Sequence, residues 1–365
     1  LEWKLFQRGA KIMTNRSKFI GYVGTYTKGE SKGIYCFTLD STEEKIKDIK
    51  VAAELENPTY LNLSKDNRYL YSVAKQGDAG GVAAFSLDDS TGELKAINSQ
   101  MQAGSPPCHV SVDSENRYVF SANYHKGSVE SHLIDQKDGS VEPAVSVIKH
   151  EGSGPDPRQE KPHTHFAGVT PNEKYVAVVE LGTDSLITYE VNEEGKLKEV
   201  SRLATHPGSG PRHLAFHPNH KFAYIMTEFS SEVIVLTYDA QDGHFTEQQY
   251  ISTLPADFKE NNQGSAIHIS ADGRFVYAGN RGHNSIAVFR VNQETGELTF
   301  VEHTSTQGDW PRDFSLDPTE KFIVASNQES SSLVLYARDE HSGKLTLLQS
   351  DIKVPHPVCV KFLNA

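Results

Sequence analysis

His163 and His165 stand two apart in Lys161-Pro-His-Thr-His165, a spacing that on a strand turns both rings to one face. Imidazole so placed is a proton carrier or a metal ligand. Farther along, Arg212-His213 follows Pro211, Glu228 ends an apolar run, Asn280-Arg281 ends another, and Arg312-Asp313 follows Pro311. A guanidinium grips phosphate, carboxylate or a developing oxyanion through paired N–H groups. A nearby carboxylate or imidazole takes a proton from water. Arg212, Glu228 and Arg281 are therefore expected to act as a set, with His165 as a second acid–base group. No metal is expected, because no carboxylate cluster is positioned to complete a ligand set with the histidines. No cofactor is expected either, since the chain has no P-loop and no dinucleotide fingerprint. Ser31 lies in Gly29-Glu-Ser-Lys-Gly33, which matches the pattern of a nucleophile elbow. An elbow runs from a strand into a helix. Both flanks here, Gly21-Tyr-Val-Gly-Thr-Tyr26 and Gly33-Ile-Tyr-Cys-Phe-Thr38, are strand-like, so Ser31 is expected in a hairpin loop.

The elements that must position these residues repeat. A polar turn recurs as Asp88–Leu94, Asp135–Val141, Asn192–Leu197, Asp239–Phe245, Asn292–Leu298 and Asp339–Leu345, with a Gly-less copy at Asp40–Ile46. Gly, Asp and Asn supply the positive φ and the side-chain caps of hairpin turns. A second turn, such as Ser64-Lys-Asp-Asn-Arg-Tyr69 or His217-Pro-Asn-His-Lys-Phe222, precedes six of the seven copies between short strand-like runs. Units start at Pro58, Pro107, Pro162, Pro211, Gly264, Pro311 and Pro357, spaced by 49, 55, 49, 53, 47 and 46 residues. A period near 50 with four strands per unit means propeller blades.

The ends complete the count. Phe19 to Leu55 supplies three strands and lacks an opening one, whereas Pro357-Val-Cys-Val-Lys-Phe362 is an opening strand with nothing after it. The expected fold is an all-β, seven-bladed β-propeller of four-stranded antiparallel blades, closed by pairing the N- and C-terminal strands. Closure removes two open sheet edges. Residues 18–365 are expected to form this one propeller, and residues 1–17 a disordered extension ahead of it.

In a propeller, the loop entering each innermost strand and the loop leaving each second strand lie on one face. Two columns of residues should thus ring one channel mouth. The first reads Thr59-Tyr60, Cys108-His109, His163-Thr-His165, Arg212-His213, Ser265-Ala266, Arg312-Asp313 and Val358-Cys359. The second reads Thr25, Lys75, Asn123, Glu180, Glu228, Asn280 and Asn327. Asn commonly closes a strand, which explains Asn123 and Asn327 as well as substrate contact does. Carboxylates and guanidiniums converging on a channel need a ligand or a salt-bridge network. His163, His213, Arg312, Asn123, Glu180, Asn280 and Asn327 are the candidate substrate contacts.

Composition narrows the partners. The net charge is −12 and no Lys/Arg run stands out, which disfavours nucleic acid and anionic membrane. A few local cations can still bind a small anion. Cys36, Cys108 and Cys359 are widely spaced and odd in number, a pattern that fits reduced thiols in the cytoplasm. No stretch is long and apolar enough to span a membrane. The expected state is a monomer or weak homo-oligomer.

At the two columns the sequence resembles the propeller-type 6-phosphogluconolactonases of bacteria and the related fungal carboxymuconate-lactonising enzymes. The matching segments are Phe19–Tyr26, Lys161–His165, Gly210-Pro-Arg-His-Leu214, Thr227-Glu-Phe-Ser-Ser231, Asn280-Arg-Gly-His-Asn-Ser285 and Trp310-Pro-Arg-Asp313. The resemblance implies a lactone substrate and an active site of His165, Arg212, Arg281 and Glu228. The expected reaction is hydrolysis of a phosphorylated sugar lactone, 6-phosphogluconolactone to 6-phosphogluconate. Glu228 would be the base for water, or His165 in its place, with the arginines on phosphate and oxyanion. The alternatives are a cycloisomerase acting on a carboxymuconate and a propeller that binds a small anion or a protein without catalysis.

Overall fold

The computed structural model describes residues 16–365. Most of the expected N-terminal extension, residues 1–15, lies outside them; the first strand begins at Lys18. Among the described residues, 28 strands form seven four-stranded antiparallel sheets arranged in a ring, with no helix. Blade 1 orders its strands Pro357–Phe362, Lys18–Thr25, Gly33–Asp40 and Lys45–Glu54. Its two termini pair in register, Gly21 with Phe362 and Val23 with Val360. Blades 2 to 7 follow in chain order, each with its first strand innermost.

Second strands of blades 3 to 7, such as Tyr175–Glu180 of blade 4 and Phe222–Thr227 of blade 5, are buried throughout, because neighbouring blades cover both of their faces. Outermost strands such as Leu197–Ala204 expose most of their residues.

The recurring turn also joins the blades. Its glycines, Gly92, Gly139, Gly195, Gly243, Gly296 and Gly343, all have φ between 72° and 80°, a region open to glycine and strained for other residues. Each glycine carbonyl accepts a hydrogen bond from the blade before it. The donors are Tyr22 (2.6 Å), Tyr71 (2.8 Å), Ser131 (2.5 Å), Thr188 (2.9 Å), Tyr224 (2.8 Å) and Tyr277 (2.7 Å). The seam between blades 7 and 1 differs. Its turn holds Glu44 at φ 55° where the others hold glycine, while Gln349 Oε1 accepts the Ile46 amide at 2.9 Å, as Asn98 and Gln249 accept the Val141 and Leu298 amides at other seams.

Candidate active site

In blades 1 and 4 to 7 the pairing of the innermost strand with the second is irregular. The pairing register shifts between Thr164 and Phe166, between Pro211 and His213, and between Pro311 and Asp313. His165, Arg212 and Arg312 are the extra residues of these bulges. A bulge re-aims a side chain that regular alternation would place elsewhere.

The second strands supply the facing groups. Aligned on their opening aromatic, Tyr118, Tyr175, Phe222, Phe275 and Phe322, their sixth residues are Asn123, Glu180, Thr227, Asn280 and Asn327. The seventh residues are Tyr124, Leu181, Glu228, Arg281 and Gln328. In blades 1 and 2, Tyr26 and Lys75 stand next to the corresponding strand ends. The sequence column thus mixed two registers, and successive residues of a strand face opposite ways. Glu228 belongs with Tyr124 and Arg281, not with Glu180.

These two sets meet in a cavity of about 400 Å³ at the channel mouth. Tyr26, Lys75, Tyr124, Glu228 and Arg281 line it, together with Thr59, Cys108, His165 and Arg312. Glu228 is the centre of the charges. Its Oε1 accepts from Arg281 Nη2 at 2.7 Å, with Arg212 Nε at 3.5 Å, and its Oε2 accepts from Arg158 Nη2 at 2.6 Å. Arg312 donates to the Tyr26 hydroxyl at 2.9 Å.

Burial pushes the Glu228 carboxyl up, but Arg281, Arg212 and Arg158 together outweigh it and hold it below its ordinary value. Burial, then the nearby Arg281 and Arg312, push Arg212 down to about 9. Burial, then the Arg212 and Arg312 charges, drive His165 well below 6.5, so its ring is neutral at pH 7. Its buried Nδ1 has no hydrogen-bond partner among the described residues. A neutral imidazole, an ionised carboxylate and excess guanidinium charge are equipped to bind an anion and move a proton beside it.

Of the four residues expected at the centre, His165, Glu228 and Arg281 reach the cavity wall. Arg212 touches Glu228 but does not line the cavity. Among the candidate substrate contacts, Arg312 lines it and six do not. His163 precedes the strand that carries His165, because Thr164 holds the register place that Pro211 and Pro311 hold in other blades. Its ring bonds the Tyr124 carbonyl at 2.8 Å and Glu160 at 3.0 Å, so the two rings do not share a face as their spacing suggested. Glu180 is enclosed by the His163 amide, the Thr164 hydroxyl, His150 and the Gly182 amide. Asn123, Asn280 and Asn327 donate to the carbonyls of Ser105, Thr253 and Thr306, fastening the loop that enters their own blade. His213 is buried deeper in the channel against His109, Tyr60 and His165.

Sequence reasoning missed Arg158, Tyr124 and Tyr26. Tyr124 would have emerged from aligning the strands on their opening aromatic; Tyr26 would not, because counting seven from Phe19 ends on Thr25. Arg158 lies in the connection of residues 150–163, and the long interval of 55 residues from Pro107 to Pro162 was its trace. Among the described residues, no group of three or more His, Cys, Asp or Glu is placed to hold a metal ion. None of them forms a helix long and apolar enough to cross a membrane.

Comparison with known proteins agrees with this architecture. The chain is 55% identical over 348 residues to a 6-phosphogluconolactonase of Bacillus subtilis (strain 168), covering 95% of this chain and 99% of the relative. A protein from Lactobacillus plantarum of known crystal structure is 44% identical, with a TM-score of 0.91 over 95% of this chain and 99% of its own. The periplasmic gluconolactonase of Pseudomonas aeruginosa is 33% identical, with a TM-score of 0.90 and coverage of 95% and 99%. Residues 20–362 match the family described as lactonase, 7-bladed beta-propeller, and the chain belongs to that family.

Proposed function

We propose that this protein hydrolyses 6-phosphogluconolactone to 6-phosphogluconate in the cytoplasm, as a monomer or weak homo-oligomer, with the reaction centred on Glu228. The observation that supports it most is charge. Four guanidinium groups, those of Arg158, Arg212, Arg281 and Arg312, gather at one carboxylate and one cavity in a chain of net charge −12. Such an excess is costly unless an anion arrives to balance it. Identity to the Bacillus subtilis enzyme supports the choice of a phosphorylated lactone.

In this reading the lactone carbonyl lies near Arg281, whose guanidinium stabilises the oxyanion of the tetrahedral intermediate. Glu228 takes a proton from water as the water oxygen bonds the carbonyl carbon. The intermediate then expels the ring oxygen, which takes that proton back and becomes a hydroxyl. The new carboxylic acid ionises, releasing one proton to solvent. His165 contributes a neutral hydrogen-bonding ring beside the substrate, and Arg212 holds Glu228 from behind.

The test is proton release from 6-phosphogluconolactone above its spontaneous hydrolysis, with carboxymuconate as a parallel substrate. Turnover of the lactone alone is the expected result. Turnover of carboxymuconate alone, or of neither, would refute the reading.

A further inference from the structure

Arg158 is unlike the other cations of the site. Arg212 and Arg281 are rooted in strands and their side chains are only 3% and 6% exposed. Arg158 comes from the connection between blades 3 and 4, and its side chain is 43% exposed. Its backbone is nonetheless fixed. The amide of Arg158 donates to Asp156 at 2.8 Å, and neighbouring Gln159, fully buried, donates to the Leu181 carbonyl and to Asp184, both at 2.8 Å. A pinned root thus bears a long side chain at the cavity rim, lying over the Phe229 ring at 4.6 Å.

The two oxygens of Glu228 are also unequal. Oε1 faces the strand-borne Arg281 and Arg212, whereas Arg158 is the only described group that hydrogen-bonds Oε2. Glu228 keeps its two strand-borne partners if Arg158 leaves. A phosphate dianion entering the rim offers Arg158 more charge than a carboxylate already shared with two other guanidiniums.

We propose that Arg158 reads the substrate's phosphate, and that in turning to it Arg158 frees Glu228 Oε2 to take the proton of the attacking water. Recognition of the phosphate and release of the base are then one movement. The proposal rests on the lactonase reading above and adds to it the means of telling a phosphorylated lactone from a plain one.

The experiment compares 6-phosphogluconolactone with glucono-δ-lactone in the wild type, Arg158→Ala and Arg158→Lys. Loss of one charge-assisted contact should lower the ratio of the two kcat/KM values by roughly 10- to 100-fold in Arg158→Ala, with partial recovery in Arg158→Lys. Inorganic phosphite, added as a detached phosphate mimic, should accelerate wild-type turnover of glucono-δ-lactone and not that of Arg158→Ala. An equal loss on both substrates, or phosphite activation that survives the substitution, would overturn the proposal and leave Arg158 as a brace for Glu228. Should the wild type hydrolyse neither lactone, the lactonase reading fails on its own. Calorimetric titration with 6-phosphogluconate and gluconate then decides for Arg158. A preference for the phosphorylated ligand that Arg158→Ala abolishes supports the proposal, and the same preference in both proteins, or none in either, overturns it.

Discussion

Glu180 and Glu228 are buried carboxylates at the ends of second strands in neighbouring blades, yet one fastens a loop and the other faces the cavity. Glu180 is the sixth residue of its strand run and accepts two amides, a hydroxyl and an imidazole. Glu228 is the seventh and meets three guanidinium groups. One residue of register turns a side chain to the other side of the strand. Residue type and burial therefore do not separate scaffold from chemistry at this mouth; register and the charge of the partners do.

The largest effect should come from Glu228→Gln. Removing the proposed base should lower kcat by about 10² to 10⁴ on 6-phosphogluconolactone. Arg281→Ala removes a cavity-wall donor and should lower kcat by about 10² to 10³. If KM alone rises, Arg281 holds the remote phosphate and not the oxyanion. Glu180→Gln is the counterpart. It sets an amide NH₂ against donors and should cost about 1–3 kcal/mol of stability in denaturant titration. Its turnover should stay within about threefold of wild type, far from the loss expected for Glu228→Gln. A large fall in kcat with Glu180→Gln would erase the contrast.

The pH dependence sharpens the same contrast at smaller scale. Because its arginines hold Glu228 below 4.5, the acid limb of kcat/KM should lie below that value, with no limb near 6.5 from His165. The stability that Glu228 contributes is present above 4.5 and is lost as pH falls through its folded value. His109, His165 and His213, all driven well below 6.5 chiefly by burial, act in another window. The unfolded chain protonates them first, so stability should fall below pH 6.5 by up to about 1.4 kcal/mol per pH unit for each. His213→Asn should flatten that slope and leave the acid limb of activity in place.

The fold was legible because its signals are local. Gly92 and its five counterparts mark the same turn in every blade after the first, and Pro357–Phe362 announces the strand that blade 1 lacks. His165, Glu228, Arg281 and Arg312 were legible because they sit near the ends of those strands. Asn123, Asn280 and Asn327 sit there as well, but their amides close loops. Two things were hidden. Bulges at Arg212 and His165 break the alternation on which the spacing of His163 and His165 was read. Arg158 reaches Glu228 across 70 residues of sequence, a contact that only the assembled ring creates.

The pairing of Gly21 with Phe362 has a consequence for synthesis. While the chain is being translated, the strand Lys18–Thr25 can dock against Gly33–Asp40 but lacks its inner neighbour. At ~5–20 residues per second, the roughly 300 residues from Glu54 to Pro357 keep that edge bare for about 15–60 s. The nascent protein is thus an open strip with an unpaired strand at its leading end, the kind of edge that recruits other chains. Removing residues 357–365 should make this transient state permanent, giving a protein that aggregates where the full chain does not. Docking of Pro357–Phe362 on Lys18–Thr25 is the step that covers this edge and ends its exposure to other chains.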